Sequence, residues 1–218
     1  MELAVEPKTV LRQAVEKLRG AIVSGVFKPG QRLVETDLCE KLRVSRPSLR
    51  EALRVLETEK LIVIAPNRGP FVVELTWAQA QEIYLVRALL EGEASALCAR
   101  NATDDDIARM QTALNAFAAA TAANDSEGRI RYTAEFYDAL QRASGNQTIN
   151  EVLQGLVSRI NVLRVRSMAR GDRASESLRE MTAIFAAIVA RDPDAARQAS
   201  MEHINNAAIA AEAAFHGR

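Results

Sequence analysis

The apolar positions of the first seventy-five residues keep a helical period three times and then turn strand-like. Leu11, Ala14, Leu18, Ala21 and Ile22 fall on one face of a helix predicted over Val10–Ser24. Gly25 and then Pro29-Gly30 stop that helix and turn the chain. A short helix is expected over Glu35–Leu42. A third follows, N-capped by Ser45 and running to about Glu59, with Pro47 tolerated in its first turn and Leu49, Leu53 and Leu56 as its buried stripe. Leu61-Ile62-Val63-Ile64 and Phe71-Val72-Val73 are β-rich runs on either side of the turn sequence 66–70, which predicts a hairpin.

Beyond Leu75 the strand pattern disappears and alanine-rich helical pattern takes over. Thr76-Trp77-Ala78-Gln79 fits a capping box and opens a helix to about Ala99. Thr103-Asp104-Asp105-Asp106 opens another, its acids on the favourable end of the helix dipole. Further helices are predicted over Arg129–Ala143, Gln147–Met168 and Ser175–Ala190, with loops at Asn124-Asp125-Ser126 and Gly171-Asp172. Asp192-Pro193 places a cap before a first-turn proline and starts the last. The expected architecture is mainly α: residues 1–75 as three helices with a β-hairpin, residues 76–218 as an all-α bundle.

Composition adds three points. The 218 residues, 48% hydrophobic, suffice for two small cores. No run approaches the roughly 18 apolar residues of a membrane span, and the acidic start Met1–Pro7 lacks an apolar signal core, so the expected compartment is the cytoplasm. Cys39 and Cys98 form neither a disulfide framework nor a zinc site by themselves. The net charge of zero conceals a split: residues 1–75 carry 13 basic and 10 acidic side chains, the remainder 15 and 18. All five lysines lie in the first sixty residues. A mildly basic head on an acidic body suits a polyanionic partner for the head alone.

Placement of the basic residues sharpens this. Arg46, Arg50 and Arg54 recur at intervals of four and share a helix face distinct from that of Leu49, Leu53 and Leu56. Long cationic donors near a helix N-terminus can bridge the two acceptors of a guanine in the major groove. Ser45 and Ser48 are short donors suited to phosphates, and Arg68 with Gly69 at the hairpin tip could follow the backbone or enter the minor groove. Three arginines on a solvated face are commonplace. The preceding short helix, the tight gap at Leu42-Arg43-Val44-Ser45 and the basic hairpin together outline a winged helix-turn-helix. The stretch Leu18–Val73 resembles the GntR family of bacterial regulators. The matching phrases are Leu18-Arg19-Gly20-Ala21-Ile22, Pro29-Gly30-Gln31-Arg32-Leu33, Val44-Ser45-Arg46, Leu49-Arg50-Glu51-Ala52-Leu53 and Arg68-Gly69-Pro70-Phe71-Val72. The resemblance implies DNA contact by Ser45, Arg46, Ser48, Arg50, Arg68 and Gly69. Pro47-Ser48 stands where many members have threonine then proline, and Thr36 where many have arginine.

The second half resembles the FCD-type effector domain of the FadR-like GntR subfamily through Arg87-Ala88-Leu89-Leu90-Glu91, Ala143-Ser144-Gly145-Asn146 and the tail Ile184–His203. This implies a bundle of six or seven helices around a cavity where many relatives hold a divalent metal on one acid and three histidines, with a small carboxylate beside it. Here those positions are Thr133, Tyr137, Met181 and His203. One imidazole beside a hydroxyl, a phenol and a thioether is no ordinary site for Zn²⁺, Ni²⁺ or Mn²⁺, so neither metal nor other cofactor is expected. The same residues, with Arg87 as the cation, could bind a small anionic metabolite directly. Alternatively Tyr137 and Met181 plug the cavity and Arg87 pairs with an internal acid such as Glu91. An enzyme reading lacks a Cys–His pair, phosphate loop or ligand cluster. The sequence thus points to a homodimeric regulator, read as a repressor, that binds an inverted repeat in duplex DNA and answers to a small anion, or to one whose sensor has decayed.

Overall fold

The computed structural model describes residues 10–168 and 172–216; the start Met1–Pro7, Lys8 and Gly171 lie outside them. The chain divides into two compact units, Met1–Leu75 and Thr76–Arg218.

In the first unit, α1 (Val10–Val23), α2 (Glu35–Leu42) and α3 (Arg46–Thr58) precede strands β1 (Ile62–Ala65) and β2 (Gly69–Val72). Leu49, Ala52, Leu53 and Leu56 of α3 are buried together with Ala14, Val15, Leu18 and Ile22 of α1. The turn between α2 and α3 is set by Arg43, which takes a left-handed conformation (φ 54°). Its N–H and that of Val44 bond back to the carbonyls of Glu40 and Cys39, ending α2 without a glycine. The hairpin is tighter than the sequence suggests. Ala65 pairs with Gly69, so Gly69 and Pro70 belong to β2 and the turn is Pro66-Asn67-Arg68. Proline second and asparagine third, with Asn67 at φ 59° and Arg68 N–H bonded to Ala65 O, is type II turn chemistry. Gly69 follows at φ 84°, where a side chain would be strained. The segment around Arg32 bonds to the outer edge of β2, through Leu33 N–H to Pro70 O and Val72 N–H to Gln31 O. Glu57 accepts the Ile64 N–H, so the hairpin is anchored on α3 as well.

The second unit is a bundle of α4 (Trp77–Asn101), α5 (Asp104–Ala122), α6 (Ser126–Ala143), α7 (Gln147–Met168), α8 (Arg173–Val189) and α9 (Pro193–Phe215). The capping box at Thr76/Gln79 forms as its spacing predicts, a second forms at Thr103/Asp106 where the sequence reading has only acids on the helix dipole, and Asp192 caps α9 ahead of Pro193. Two helices begin earlier than the sequence reading has them. Asp125 accepts from Gly128 N–H and starts α6 at Ser126, not Arg129, and α8 starts at Arg173, not Ser175. Phe117, Phe136, Leu140, Met181 and Ile184 fill the middle of the bundle. α4 and α9 approach closely where Gly92 faces Met201, whose Cγ would lie 2.9 Å from a Cβ at that position.

Candidate DNA-reading face and buried polar centre

On α3 the two faces separate as the spacing implies. Arg46, Arg50 and Arg54 are exposed while Leu49, Leu53 and Leu56 are buried. Ser45 caps the helix: its Oγ accepts from Ser48 N–H at 3.3 Å and shares a hydrogen bond with Ser48 Oγ at 2.9 Å. Both hydroxyls therefore stand at the N-terminus of α3, where backbone N–H groups and the dipole favour an anion. Arg50 donates from Nε to Glu35 Oε2 on α2 at 3.1 Å. Its side chain stays 66% exposed, so the Nη groups remain presented to solvent. Arg54 pairs loosely with Glu51 at 3.8 Å. At the hairpin tip the Arg68 guanidinium lies 5.4 Å from the Phe71 ring centroid, a cation–π contact that braces it. Thr36 hydrogen-bonds its neighbour Asp37.

In the bundle the five residues singled out from the sequence are all buried. Tyr137 stacks on His203 with ring centroids 6.0 Å apart. Thr133, one turn before Tyr137, donates its hydroxyl to Arg129 O, and Met181 receives the Ser177 hydroxyl on its sulfur. Arg87 is engaged by Glu91, Nε to Oε1 at 2.7 Å, both side chains only 1% exposed. This is the internal pairing that the sequence leaves open. Around the pair lie further polar groups from α4, α7 and α9. Arg164 of α7 sits 5.1 Å from the Tyr137 ring centroid, and Arg87 5.5 Å from that of Tyr84. Tyr84 Oη, Arg87 Nη1, Tyr137 Oη, Arg164 Nε and Ser200 Oγ are buried with no hydrogen-bond partner among the described residues. Native interiors seldom leave such groups unsatisfied. Burial and the Glu91 carboxylate both hold the Tyr137 phenol protonated, well above its ordinary range.

A cavity of about 350 Å³ opens between α6 and α7 against this centre, lined by Glu91, Tyr137, Gln141, Leu153, Ile160 and Arg164 among others. Of the five expected pocket residues only Tyr137 lines it.

Beside Tyr137, Arg173 grips Glu180 with two parallel bonds of 2.9 and 2.7 Å. His203 Nδ1 lies 2.7 Å from the same carboxylate, and Asn206 donates to it at 2.8 Å. Burial lowers the His203 pKa despite that carboxylate, so near neutrality the ring is uncharged and its Nδ1–H donates. Burial opposes ionisation of Glu180, but the bonds from His203 and Arg173 outweigh it and bring the carboxyl down to about 2. The four residues that the resemblance places at metal-ligand positions thus do not suit a metal. Thr133 is committed to a helix carbonyl, Tyr137 is held protonated, Met181 offers a thioether, and His203 alone offers an imidazole. A carboxyl with a depressed folded pKa contributes stability that is complete above its unfolded value, near 4.3, and is lost as pH falls toward 2. Glu180→Gln is therefore expected to lower stability at pH 7 by about 1.5–3 kcal/mol and to flatten the acid branch between about pH 5 and 2. Denaturant titrations of both proteins across that range check this, and an unchanged acid branch would count against the role of Glu180.

Comparison with known proteins agrees with both units. The profile of the bacterial regulatory proteins of the gntR family matches residues 11–72, and that of the FCD domain matches residues 82–206. YdhC of Bacillus subtilis (strain 168), an uncharacterized HTH-type transcriptional regulator, is 30% identical over 203 residues, spanning 92% of this chain and 90% of its own. The Glc operon transcriptional activator of Escherichia coli (strain K12) is 29% identical over 222 residues, 91% of this chain and 87% of its own. Among solved structures, E. coli McbR/YncC superposes with a TM-score of 0.81 at 27% identity, covering 94% of this chain and 98% of that one. With a family profile on each unit and full-length likeness to transcriptional regulators, this chain belongs to the GntR family and is a DNA-binding transcription regulator with an FCD domain.

Proposed function

We propose that the protein is a ligand-responsive regulator, and not an enzyme. As a homodimer it binds an inverted repeat through α3 and the hairpin, and a small anionic metabolite held in the bundle changes its operator affinity. In this reading Arg46 and Arg50 contact base edges, and Ser45, Ser48, Arg68 and Gly69 position the domain on phosphates. Tyr137 faces the effector in the cavity, and Arg87, Thr133, Met181 and His203 stand in the buried polar centre behind it. Two copies are needed because one recognition helix reads only a few base pairs. Repression is the simplest output, since occupancy near a promoter excludes polymerase without further contacts.

The observation that carries the effector reading is the cluster of buried polar atoms without partners around Tyr137 and the two arginines. A bound polar anion would satisfy them, and a buried carboxylate needs such partners in turn. The Arg87–Glu91 pair and the Tyr137–His203 stack favour a second reading, in which the centre is closed on itself and the protein binds DNA without a ligand. A thermal-shift screen of small organic acids separates the two. A hit should raise the melting temperature by mass action and change operator affinity, with reciprocal coupling between DNA and ligand. No hit would favour the closed centre.

For the DNA side, Arg46→Ala and Arg50→Ala should each cost about 1–3 kcal/mol of specific operator binding. Both side chains are exposed, so thermal stability should be kept. Fluorescence anisotropy with operator and scrambled duplexes measures the first, and calorimetry the second. A variant that unfolds would show the arginine to be structural.

A further inference from the structure

The charged side chains of the bundle interior do not balance. Arg87 is matched by Glu91, and Arg173 by Glu180 with a neutral His203. Among the described residues, Arg164 is the remaining buried cation. It is buried, makes no ion pair among the described residues, and its side chain has one hydrogen bond there, from Nη1 to Asn161 Oδ1 at 3.0 Å. Its Nε has no partner. The Tyr137 ring face offers partial compensation only. Burial and the positive charge of Arg87 lower its pKa to about 10, so it stays protonated at neutral pH. A buried charge is ordinarily paired, and this one lines the cavity between α6 and α7.

Resting on the ligand-responsive reading, we propose that Arg164, rather than Arg87, receives the effector's carboxylate, and that the effector is a small monoanion with a hydrogen-bonding oxygen close to that group. One unmatched cation calls for one negative charge. A second charge would face Glu91 inside the cavity and Glu135 and Asp138 also on its lining, against Arg131 alone. The Tyr137 hydroxyl, protonated and unpartnered, supplies a donor beside the guanidinium. Leu153, Val157 and Ile160 give the remaining wall an apolar character suited to a short aliphatic or aryl group. A cavity of about 350 Å³ is at the small end of ligand pockets.

The test uses the full-length protein with short hydroxy-, oxo- and unsubstituted monocarboxylates, from acetate through 2-hydroxyisobutyrate to benzoate. Succinate serves as dianion, acetamide as neutral control, and ionic strength is held constant. At about ten times its Kd, a hydroxy- or oxo-monocarboxylate should raise the melting temperature by about 3 °C or more, with succinate and acetamide inert. Arg164→Met should bind that acid at least about tenfold more weakly, and without ligand it should melt no lower than wild type, because it removes an unmatched charge. Should Arg164→Met fail to fold, Arg164→Lys decides: it keeps the charge but loses the fork, so weaker binding with the same monoanion preference is expected. If wild type responds and the Arg164 variants bind the acid with unchanged affinity, the assignment to Arg164 is wrong while the ligand-responsive reading stands. A preference for succinate overturns the monoanion class. If no acid shifts wild-type protein that still binds operator, both fall.

Discussion

Glu91→Leu should destabilise the bundle by about 3–5 kcal/mol, the cost of breaking a buried ion pair from one side. The pair is almost wholly removed from water, and Glu91 is the acid shared electrostatically by Arg87 and Arg164. Without it two guanidinium groups repel each other in one interior. Arg87→Met should cost less, because the stranded carboxylate still has Arg164 as a neighbour. The double variant Arg87→Met with Glu91→Leu should recover most of the loss, since apolar residues of similar volume replace a buried pair at little net cost. Denaturant melts of the four proteins form a thermodynamic cycle whose coupling term should exceed about 1 kcal/mol. Additive losses would mean that the pair has no special standing.

The second large effect concerns salt. Operator affinity should fall by about 10³–10⁵ between about 50 and 200 mM monovalent salt if the dimer neutralises roughly six to ten phosphates. In the proposed docking the basic residues of the first unit and the capped start of α3 would supply that contact. A logarithmic slope shallower than about −3 in anisotropy titrations would mean few phosphates are engaged and that the proposed docking is wrong.

What could be read from the chain beforehand divides along a physical line. Features set by local geometry are legible: the caps at Ser45, Thr76 and Asp192, and the arginine stripe of α3 on a face distinct from its leucines. Asp125 was misread because Asn124-Asp125-Ser126 has the composition of a loop, although aspartate three residues before a free N–H is also a cap. The site was legible only in part. The side-chain chemistry of Thr133, Tyr137, Met181 and His203 can be read from the sequence, but not the partners that packing gives them. Which arginine is spent on an internal acid depends on helix packing. The spacing of Arg87 and Glu91 allowed their pairing, but nothing local isolates Arg164. Likewise Glu180, seven residues beyond Arg173, meets His203 only because α8 and α9 lie side by side. Tyr84 and Ser200 carried no sequence signal beyond being polar.

The bond from Glu35 to Arg50 bears on how operator is found among competing DNA. A guanidinium held at Nε has already lost much of its rotational freedom, so less is lost when its two Nη groups meet a base edge. The same carboxylate repels phosphate oxygens. A groove offering uncharged acceptors can be engaged with the bond to Glu35 intact, whereas a purely electrostatic encounter must bring phosphates toward a negative charge. If Arg50 reads a base edge as proposed, Glu35 would thus act as a built-in penalty on idle residence, favouring quick release from sequences that offer charge but no matching edge.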